Sequence, residues 1–493
     1  MGEKQEEFLY TRIADRFESM ILNGVLKTGD KLPSVRILSE EQGISISTAY
    51  MAYSSLESKG LIEARPKSGY YVRYADRSVA LPPRNPAPAA PSSDMSVDEM
   101  IATVYENLTE TSVVQMSLAA PSVDLLPSAK INKCLLEALR RSPTSCLHYE
   151  QIQGNEQLRQ QLARLAFNWG GKCTADDVIV TQGCMEALAF CLQAVTQPGD
   201  VVAIERPTYF GIFNLLKNLG LRALEIPTDP DTGPDLDFLR AAISKDQVNA
   251  VLFVPSFNNP LGSLMPDGQK KALVEMLAEK QIPLVEDDIY GEMYFGKTRP
   301  RTCKSYDTEG LVLYCSSVSK SLAPGYRIGW CIPGRYKKQV LHNKLTHCVS
   351  SATPTQAAIA LFCENGRFDL HLRHLRKALH TQCLRYWQAV KDYFPAKTRV
   401  SQPQGGYVLW LELPEQVDAF QLFHRAKQHQ ILIAPGQIFS VAGCYSHHIR
   451  LGFGAPYSEE IEKSLNTLGS IIQQMAGKPA RDAPQRKLPV VSG

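Results

Sequence analysis

A stretch rich in proline, alanine and serine divides the chain into two unequal parts. It reads RSVALPPRNPAPAAPSSDMSVD, residues 77–98, and offers little that could pack in a core. Prolines hold such a segment partly extended, as in a linker. Because single cores stop growing near roughly 250 to 300 residues, a chain of 493 residues is expected to hold more than one folding unit. We therefore predict a first domain of residues 1–75, a linker of residues 76–112, a large domain of residues 113–478 and a disordered tail of residues 479–493.

The composition is that of a globular protein, with 44% hydrophobic and 21% charged residues. No apolar run is long enough to span a bilayer, and the start MGEKQEEFLY lacks the order of a signal peptide, so we expect a cytoplasmic protein with no membrane partner. The twelve cysteines include no C-x-x-C pair, and the closest histidine pairs have no third ligand nearby, which favours the absence of a metal site. A net charge of +3 argues against a large surface that coats nucleic acid but leaves a local reader of DNA open.

The first domain begins with helical patterns and ends with two β-rich runs. Four apolar residues recur every fourth position, on one stripe of a helix: Leu9, Ile13, Phe17 and Ile21. A second helix is expected to begin after Ser34, its N-cap, and to end at Gly43, which tolerates a left-handed backbone. Ser45 then caps a third helix, which turns three side chains inward: Ala49, Tyr53 and Leu56.

The second and third helices, joined by a short turn, predict a helix-turn-helix, and the runs LIEAR and GYYV predict a hairpin, or wing. Three helices alone fit a small dimerisation or docking domain equally well. The wing and the order of the elements favour a DNA-binding domain.

From KLPSVRIL to GYYV, residues 31–72, the chain resembles the winged helix-turn-helix of GntR-type bacterial regulators. The resemblance implies seven positions that approach DNA: Arg36, Ser45, Ser47, Thr48, Tyr50, Lys67 and Gly69. Ile46 and Tyr50 stand where arginines are common in such domains. Residues 1–75 hold ten Lys or Arg and ten Asp or Glu, so we expect modest affinity for DNA from one domain and tight binding only from two.

From Met116 onward, short apolar runs alternate with helical patterns. The runs are of the fully buried type: DVIVT (177–181), VVAIE (201–205), AVLFV (250–254), PLVED (283–287) and LVLYCS (311–316). This alternation predicts an α/β fold with a mainly parallel sheet that helices cover on both faces. Ligands of such sheets bind outside the carboxyl ends of the strands.

The ends of these predicted strands carry the unusual residues of the chain. Gly183 turns the chain into a helix and leaves the amides of Cys184 and Met185 facing outward, which is an anion site by geometry. The other features lie in ERPTYFG, SFNNPLG, VEDDIYGE and SSVSKSLAPGYRIGW. Most of these features alone are typical of a turn or of ordinary packing, but a solvated acidic loop fits VEDDIYGE less well because apolar residues precede it. Together they require a ligand with a phosphate, a ring with a basic nitrogen, a ring hydroxyl and an aldehyde, and pyridoxal 5'-phosphate has all four.

The segment from about residue 113 to 475 resembles a fold-type I aminotransferase, which has a large domain and a small C-terminal α/β subdomain. The resemblance implies that Lys320 attaches the cofactor through its aldehyde and that Asp287 pairs with the pyridine nitrogen. It also implies that Arg450, in HIRLGFG, grips a substrate carboxylate.

Further contacts are implied by the same resemblance. Asn259 and Tyr290 would contact the ring hydroxyl, and Tyr209 would stack on the ring. The phosphate would be held by the turn at Gly183 and by the loop after the last run: Cys184, Met185, Ser317, Ser319 and Arg327. Tyr149 would reach the phosphate of a neighbouring subunit, which implies a homodimer with shared sites.

A GntR-type reader joined to an aminotransferase-like domain resembles the MocR-type regulators from end to end. This resemblance implies a transcription factor that binds an operator in double-stranded DNA and whose large domain senses an amino acid, an amine or the cofactor itself. It also implies a head-to-tail dimer. The alternative is an aminotransferase with an accessory DNA-binding module, because nothing needed for transamination is missing from the chain.

Overall fold

The computed structural model describes most of the chain, namely residues 9–22, 25–26, 29–58, 60–65, 68–73, 82–84, 99–102, 113–364 and 366–477. Lys67, most of the predicted linker and the predicted tail 479–493 lie outside these residues. The chain divides into two compact units, Met1–Leu81 and Pro82–Gly493. None of the described helices is both long and apolar enough to cross a membrane.

The first unit contains three helices and a hairpin: α1 (Leu9–Leu22), α2 (Val35–Gln42), α3 (Ile46–Ser58), β1 (Ile62–Arg65) and β2 (Gly69–Val72). As predicted, the Ser34 hydroxyl caps α2 by accepting a hydrogen bond from the Ile37 amide at 3.2 Å, and Gly43 ends the helix with φ 61°. The two strands pair antiparallel, with Ile62 opposite Val72, which confirms the wing.

The core of the first unit contains the inward side chains that the sequence indicates. Ala49, Tyr53 and Leu56 of α3 have no exposed surface, and Ile13 and Ile21 of α1 pack in the same cluster. The ring of Phe17 meets that of Tyr53 edge-on at 5.8 Å. Because one face of α3 packs against the rest of the unit, the packing fixes which residues of α3 are exposed.

The second unit is built on an eight-stranded sheet. In chain order its strands are β4 (Ile179–Thr181), β5 (Val201–Arg206), β6 (Arg222–Asp229), β7 (Gly233–Pro234), β8 (Ala250–Phe253), β9 (Leu284–Asp287), β10 (Val312–Ser317) and β11 (Gly329–Ile332). The spatial order is β4-β11-β10-β9-β8-β5-β6-β7. Neighbours from β10 to β6 pair parallel, and β11 pairs antiparallel with β4 and β10, so the predicted mainly parallel sheet is confirmed.

Helices are distributed along the second unit, and from β4 to β9 they alternate with the strands as predicted. They are α4 (Ser128–Arg141), α5 (Glu156–Ala166), α6 (Cys184–Val195), α7 (Phe210–Asn218), α8 (Leu236–Ser244), α9 (Asp267–Glu279), α10 (Lys337–Cys348), α11 (Thr353–Glu364), α12 (Arg367–Tyr393), α13 (Ala419–Gln428) and α14 (Glu459–Met475). Leu239 of α8 and Leu273 of α9 are fully buried in a cluster with Val251 and Phe253 of the central strand β8. This packing makes the middle of the sheet rigid and leaves the loops at the strand ends to form a site.

A smaller antiparallel sheet follows towards the C-terminus. Its order is β12 (Arg399–Val400), β13 (Val408–Glu412), β16 (His448–Gly452) and β15 (Ala434–Pro435). A separate parallel pair joins β3 (Val114–Gln115) to β14 (Ile431–Leu432), so the start of the unit pairs with its C-terminal part. The small α/β subdomain of the prediction is therefore present, and its strand β16 carries Arg450.

Candidate functional site

An anion cradle forms where β4 turns into α6. Gly183 has φ 91° and supplies no side-chain cap, so the first amides of α6, including those of Cys184 and Met185, keep their donor capacity. A Cβ atom on Gly183 would lie 2.3 Å from Arg327 Nη2. Glycine at this position therefore allows a guanidinium to lie against the end of the helix.

Arg327 is held in this place by neutral groups. Its Nη2 donates to the Gln182 carbonyl at 3.2 Å, and its Nη1 donates to the Ser319 hydroxyl at 3.4 Å. The Ser317 hydroxyl accepts from the Ser319 amide at 3.2 Å, and both serines are buried. No carboxylate among the described residues pairs with Arg327, so its charge remains available to an anion at the end of α6.

Lys320 follows β10 beside this cradle. Within the described residues, no hydrogen bond or ion pair engages its Nζ atom, and the side chain is largely buried. Burial, and then the positive charge of Arg450, lower the pKa of Lys320 to about 8, while Asp287 acts in the opposite direction. A lysine of this kind is partly neutral near pH 8 and can act as a nucleophile or a base.

Two adjacent aspartates end β9, and the structure gives them different partners. The Asp288 carboxylate accepts from Arg299 Nη2 and from the Tyr314 hydroxyl, the latter at 2.8 Å. Asp287 Oδ1 accepts from the Ile289 amide at 3.0 Å and from the Cys184 thiol at 3.3 Å. Burial raises the pKa of Asp287 to about 6, although both hydrogen bonds act to lower it. Asp287 is thus the aspartate that lies near Lys320.

A chain of hydrogen bonds links the remaining polar groups of the site. Arg450 Nη1 donates to Asn259 Oδ1 at 2.8 Å, and Asn259 Nδ2 donates to the Tyr290 hydroxyl at 3.4 Å. Arg450 Nη2 donates to the Ser117 carbonyl. Burial lowers the pKa of Arg450 to about 10 and raises that of Tyr290 well above its usual range.

The buried guanidinium of Arg450 has no carboxylate partner within the described part of the chain, and its Nε atom makes no hydrogen bond there. The guanidinium lies over the ring of Phe439, 5.1 Å from its centre. Removing a charge from water is costly unless an opposite charge replaces the lost hydration. The arrangement therefore favours an anionic ligand at Arg450.

The remaining residues predicted to contact the cofactor differ in how exposed they are. Tyr209 caps the start of α7 and is close enough to Arg450 to influence its pKa. Met185 is 38% exposed on the first turn of α6. Tyr149 is 87% exposed.

The sequence did not single out two side-chain contacts of this site. The hydroxyl of buried Tyr407 donates to the Lys320 carbonyl and so fixes the backbone that carries the lysine. The glycine pair before it, Gly405 and Gly406, could have indicated a close approach of two backbone segments here. In the structure a Cβ on Gly405 would lie 2.5 Å from the Met293 carbonyl oxygen. The second contact is the thiol of Cys184 on Asp287, which nothing in the local sequence indicates.

Of the predicted DNA-facing residues, four lie just before or within the first turns of α3, Arg36 lies on α2, Gly69 begins β2, and Lys67 is outside the described residues. The Ser45 hydroxyl accepts from the Thr48 amide at 3.1 Å and lies 2.7 Å from the Ser47 hydroxyl. Arg36 on α2, and Ser47 and Tyr50 on α3, are exposed. Gly69 begins β2 with φ 112°, a conformation that favours glycine.

Two family profiles match the chain. The profile for "Aminotransferase class I and II" matches residues 114–468, and that for "Bacterial regulatory proteins, gntR family" matches residues 9–72.

Among curated proteins, the HTH-type transcriptional regulators YjiR and YdcR of Escherichia coli (strain K12) are each 36% identical to the chain. Both alignments cover 94% of this chain, and they cover 98% of YjiR and 99% of YdcR. Among solved structures, LysN, the alpha-aminoadipate aminotransferase of Thermus thermophilus complexed with N-(5'-phosphopyridoxyl)-L-leucine, matches with a TM-score of 0.71 and 25% identity. That match covers 77% of this chain and 95% of the LysN chain.

Proposed function

The chain belongs to the MocR-type regulators, in which a GntR-type helix-turn-helix precedes a domain of aminotransferase class I and II, and we propose that its large unit senses an amino acid or amine through pyridoxal 5'-phosphate. One observation carries the proposal. A largely buried Lys320, whose Nζ atom has no partner among the described residues, lies in the same chain as a helix-turn-helix. The domain limits 1–75, 76–112 and 113–478 are part of the proposal.

The residues present fit this cofactor. The absence of a Cβ on Gly183 lets the Arg327 guanidinium lie against the start of α6, and a guanidinium beside the first amides of a helix suits a phosphate. Asp287, buried and close enough to Lys320 to influence its pKa, suits a protonated ring nitrogen. When bound, the cofactor supplies an aldehyde that accepts amines and a ring that withdraws electrons.

We assign the protein side chains the following roles. Lys320 would hold the cofactor, and its lowered pKa would let its Nζ atom give up and take back a proton near pH 8. Asn259 and Tyr290 contact the ring hydroxyl through the hydrogen-bond chain that begins at Arg450. Ser317, Ser319 and Arg327 hold the phosphate, together with the amides of Cys184 and Met185, and Tyr209 covers the ring.

The effector we propose carries a carboxylate beside its amine. Its carboxylate would pair with Arg450, which is buried and has no carboxylate partner among the described residues. A bidentate contact of this kind is strong and directional. Because a ligand shifts an equilibrium only through differential affinity, this pairing is where the effector would favour one conformation of the protein.

The assembly we propose is a homodimer arranged head to tail, with one operator half-site for each DNA-binding domain. The exposed ring of Tyr149 supports shared cofactor sites, because an 87% exposed tyrosine gains from burial against a second copy. A protein that reads an operator works where the chromosome is, and in bacteria this is the cytoplasm.

The second candidate is an aminotransferase with an accessory DNA-binding domain. The pKa of Lys320, near 8, favours it, because such an amine exchanges protons readily at physiological pH. The regulator is preferred because a helix-turn-helix adds nothing evident to transamination.

A spectral titration tests the proposal. The full chain, loaded with cofactor, is titrated with individual amino acids and amines while the visible absorption is followed, and the affinity for promoter DNA is measured by fluorescence anisotropy at each end point. A regulator shows a saturable spectral change that alters DNA affinity. Sustained conversion of amino donors and 2-oxo acids, with DNA affinity unchanged, would identify an enzyme.

A further inference from the structure

The exposed side chains of α3 include no basic residue, and three of them are large, where a reader of guanine would be basic. Ile46 is 58% exposed, Tyr50 is 55% exposed and Met51 is 47% exposed. Ile46 and Tyr50 lie one helical turn apart in the first two turns of α3, and Met51 follows Tyr50 in the chain. Two large apolar side chains and one tyrosine are thus held at the start of the helix that faces DNA.

The side chains that recognise guanine and adenine most directly are absent from this helix. Its sequence, ISTAYMAYSSLES, contains no Arg or Lys to pair with guanine and no Asn or Gln to pair with adenine. Its one charged residue, Glu57, lies in the last turn and accepts a hydrogen bond from the Ala64 amide. The hydroxyls at the start of α3 already bond with one another, with Ser45 Oγ 2.8 Å from Thr48 Oγ1.

One group in the major groove matches such a surface. The 5-methyl group of thymine is the apolar group that base pairs present there, and it distinguishes thymine from the other bases. The first residues of a recognition helix are those that reach base edges. Arg36, exposed on α2, can position the helix through a phosphate without adding sequence preference.

We propose that this protein reads its operator through thymine methyl groups contacted by Ile46 and Tyr50. The inference rests on the proposed DNA-binding function and specifies its ligand as half-sites rich in A·T pairs. Each methyl group buried in this way contributes about fourfold to affinity. A helix without basic residues thereby gains sequence preference with little gain in binding to DNA at large.

The test begins with a selection of random-sequence duplexes on the full-length, cofactor-loaded protein. The recovered sequence is then made in two forms, one with thymine and one with uracil at the enriched positions, which removes only the methyl groups. Fluorescence anisotropy at fixed salt measures both affinities. We expect enriched A·T positions and a loss of about fourfold for each contacted methyl group. Uracil placed outside the half-sites serves as the control and should have no effect.

A variant cycle assigns the contact to α3. Ile46→Ala should weaken binding to the thymine duplex about fourfold and should remove most of the uracil penalty. Val25→Ala, at another exposed apolar residue of the same unit, should leave the penalty unchanged.

The outcomes separate the inference from the function beneath it. If no sequence is enriched above non-specific binding, the DNA-binding function itself fails. If guanine-rich sequences are recovered and uracil is neutral, the protein binds DNA and the methyl contact is wrong. If Ile46→Ala changes the oligomeric state and leaves the uracil penalty intact, the apolar face is a protein contact, and the proposal is overturned.

Discussion

The two units of this chain present opposite kinds of binding surface. The large unit buries charged groups from separate strands, among them Asp287 at the end of β9, Lys320 after β10 and Arg450 on β16. The small unit exposes neutral side chains of one helix, Ile46 and Tyr50. Buried charges make few but strong contacts, and they are costly when a partner is missing. The large unit therefore depends on tertiary convergence for its ligand, whereas the small unit presents its surface from a single helix.

Lys320→Ala should have the largest effect on cofactor binding in the large unit and no effect on DNA binding by the small unit. The variant should completely lose the covalent attachment of the cofactor and the visible absorption that depends on it. The reason is that Lys320 supplies the reactive amine of the site, with a pKa near 8. Affinity for non-specific DNA should be unchanged. Borohydride trapping followed by mass spectrometry measures the attachment, and Lys271→Ala, at an exposed lysine of α9, is the control. Trapped cofactor in the Lys320 variant would disprove the assignment.

The next largest effect is expected at Arg450. Arg450→Met should lower effector affinity about a hundredfold, since truncating one member of a buried charge pair costs roughly 2 to 5 kcal/mol. Arg450→Lys keeps a charge but loses the bidentate geometry. Its effector affinity should therefore lie between those of the native protein and Arg450→Met. The same spectral titration measures both variants. Equal effector affinity in all three proteins would show that the carboxylate binds elsewhere.

A single methyl group should damage the anion cradle. Gly183→Ala places a Cβ 2.3 Å from Arg327 Nη2 at a φ of 91°, so we expect cofactor affinity to fall at least tenfold. Gly268→Ala adds a Cβ with no atom within 4 Å, inside α9, and should leave cofactor affinity unaltered. Equilibrium dialysis of the cofactor gives both numbers. Normal affinity in Gly183→Ala would mean that the phosphate lies away from this turn.

The N-cap of α2 should contribute measurably to the stability of the small unit. Ser34→Ala removes the acceptor for the Ile37 amide and should destabilise α2 by about 1 kcal/mol. Hydrogen exchange of the α2 amides in the full chain measures this change. Ser54→Ala, on the exposed face of α3, is the matched control, and it should not weaken the unit. Cofactor binding should be identical in both variants, and a change there would contradict the separation of the two surfaces.

The smallest effect is expected from the thiol beside Asp287. The hydrogen bond from Cys184 lowers the pKa of Asp287, which burial raises to about 6. Cys184→Ala should therefore raise this pKa further. Because the cofactor requires the carboxylate form, affinity should be lost as pH falls through about 6 in the native protein and from a higher pH in the variant.

The measurement is cofactor affinity at two pH values. We expect Cys184→Ala to bind about threefold more weakly at pH 6, where a lost hydrogen bond to a charged group matters, and equally well at pH 8. Cys184→Ser retains a donor and should resemble the native protein. Cys146→Ala, at an exposed cysteine, is the control. An identical loss at both pH values would indicate a packing effect instead.

Much of the fold followed from local patterns. The cap at Ser34, the turn at Gly43 and the wing were predicted from a few adjacent residues, because caps and turns are governed by nearby backbone geometry. The five apolar runs became strands of one sheet for a similar reason, since a short apolar run must be buried. Strand β11 was missed. It lies antiparallel between β4 and β10, and its Gly329 packs against the backbone of Gly183, a contact that no local pattern contains.

The sequence by itself determined the two classes of domain and the residue types available at each strand end, because hydrophobic periodicity and turn chemistry act over a few residues. Only the tertiary structure decided how these residues are used. It placed the Cys184 thiol on Asp287, 103 positions away, and joined Arg450 to Asn259 across 191 positions. Burial and charge set the pKa of Lys320, and both come from groups that the fold alone brings within reach.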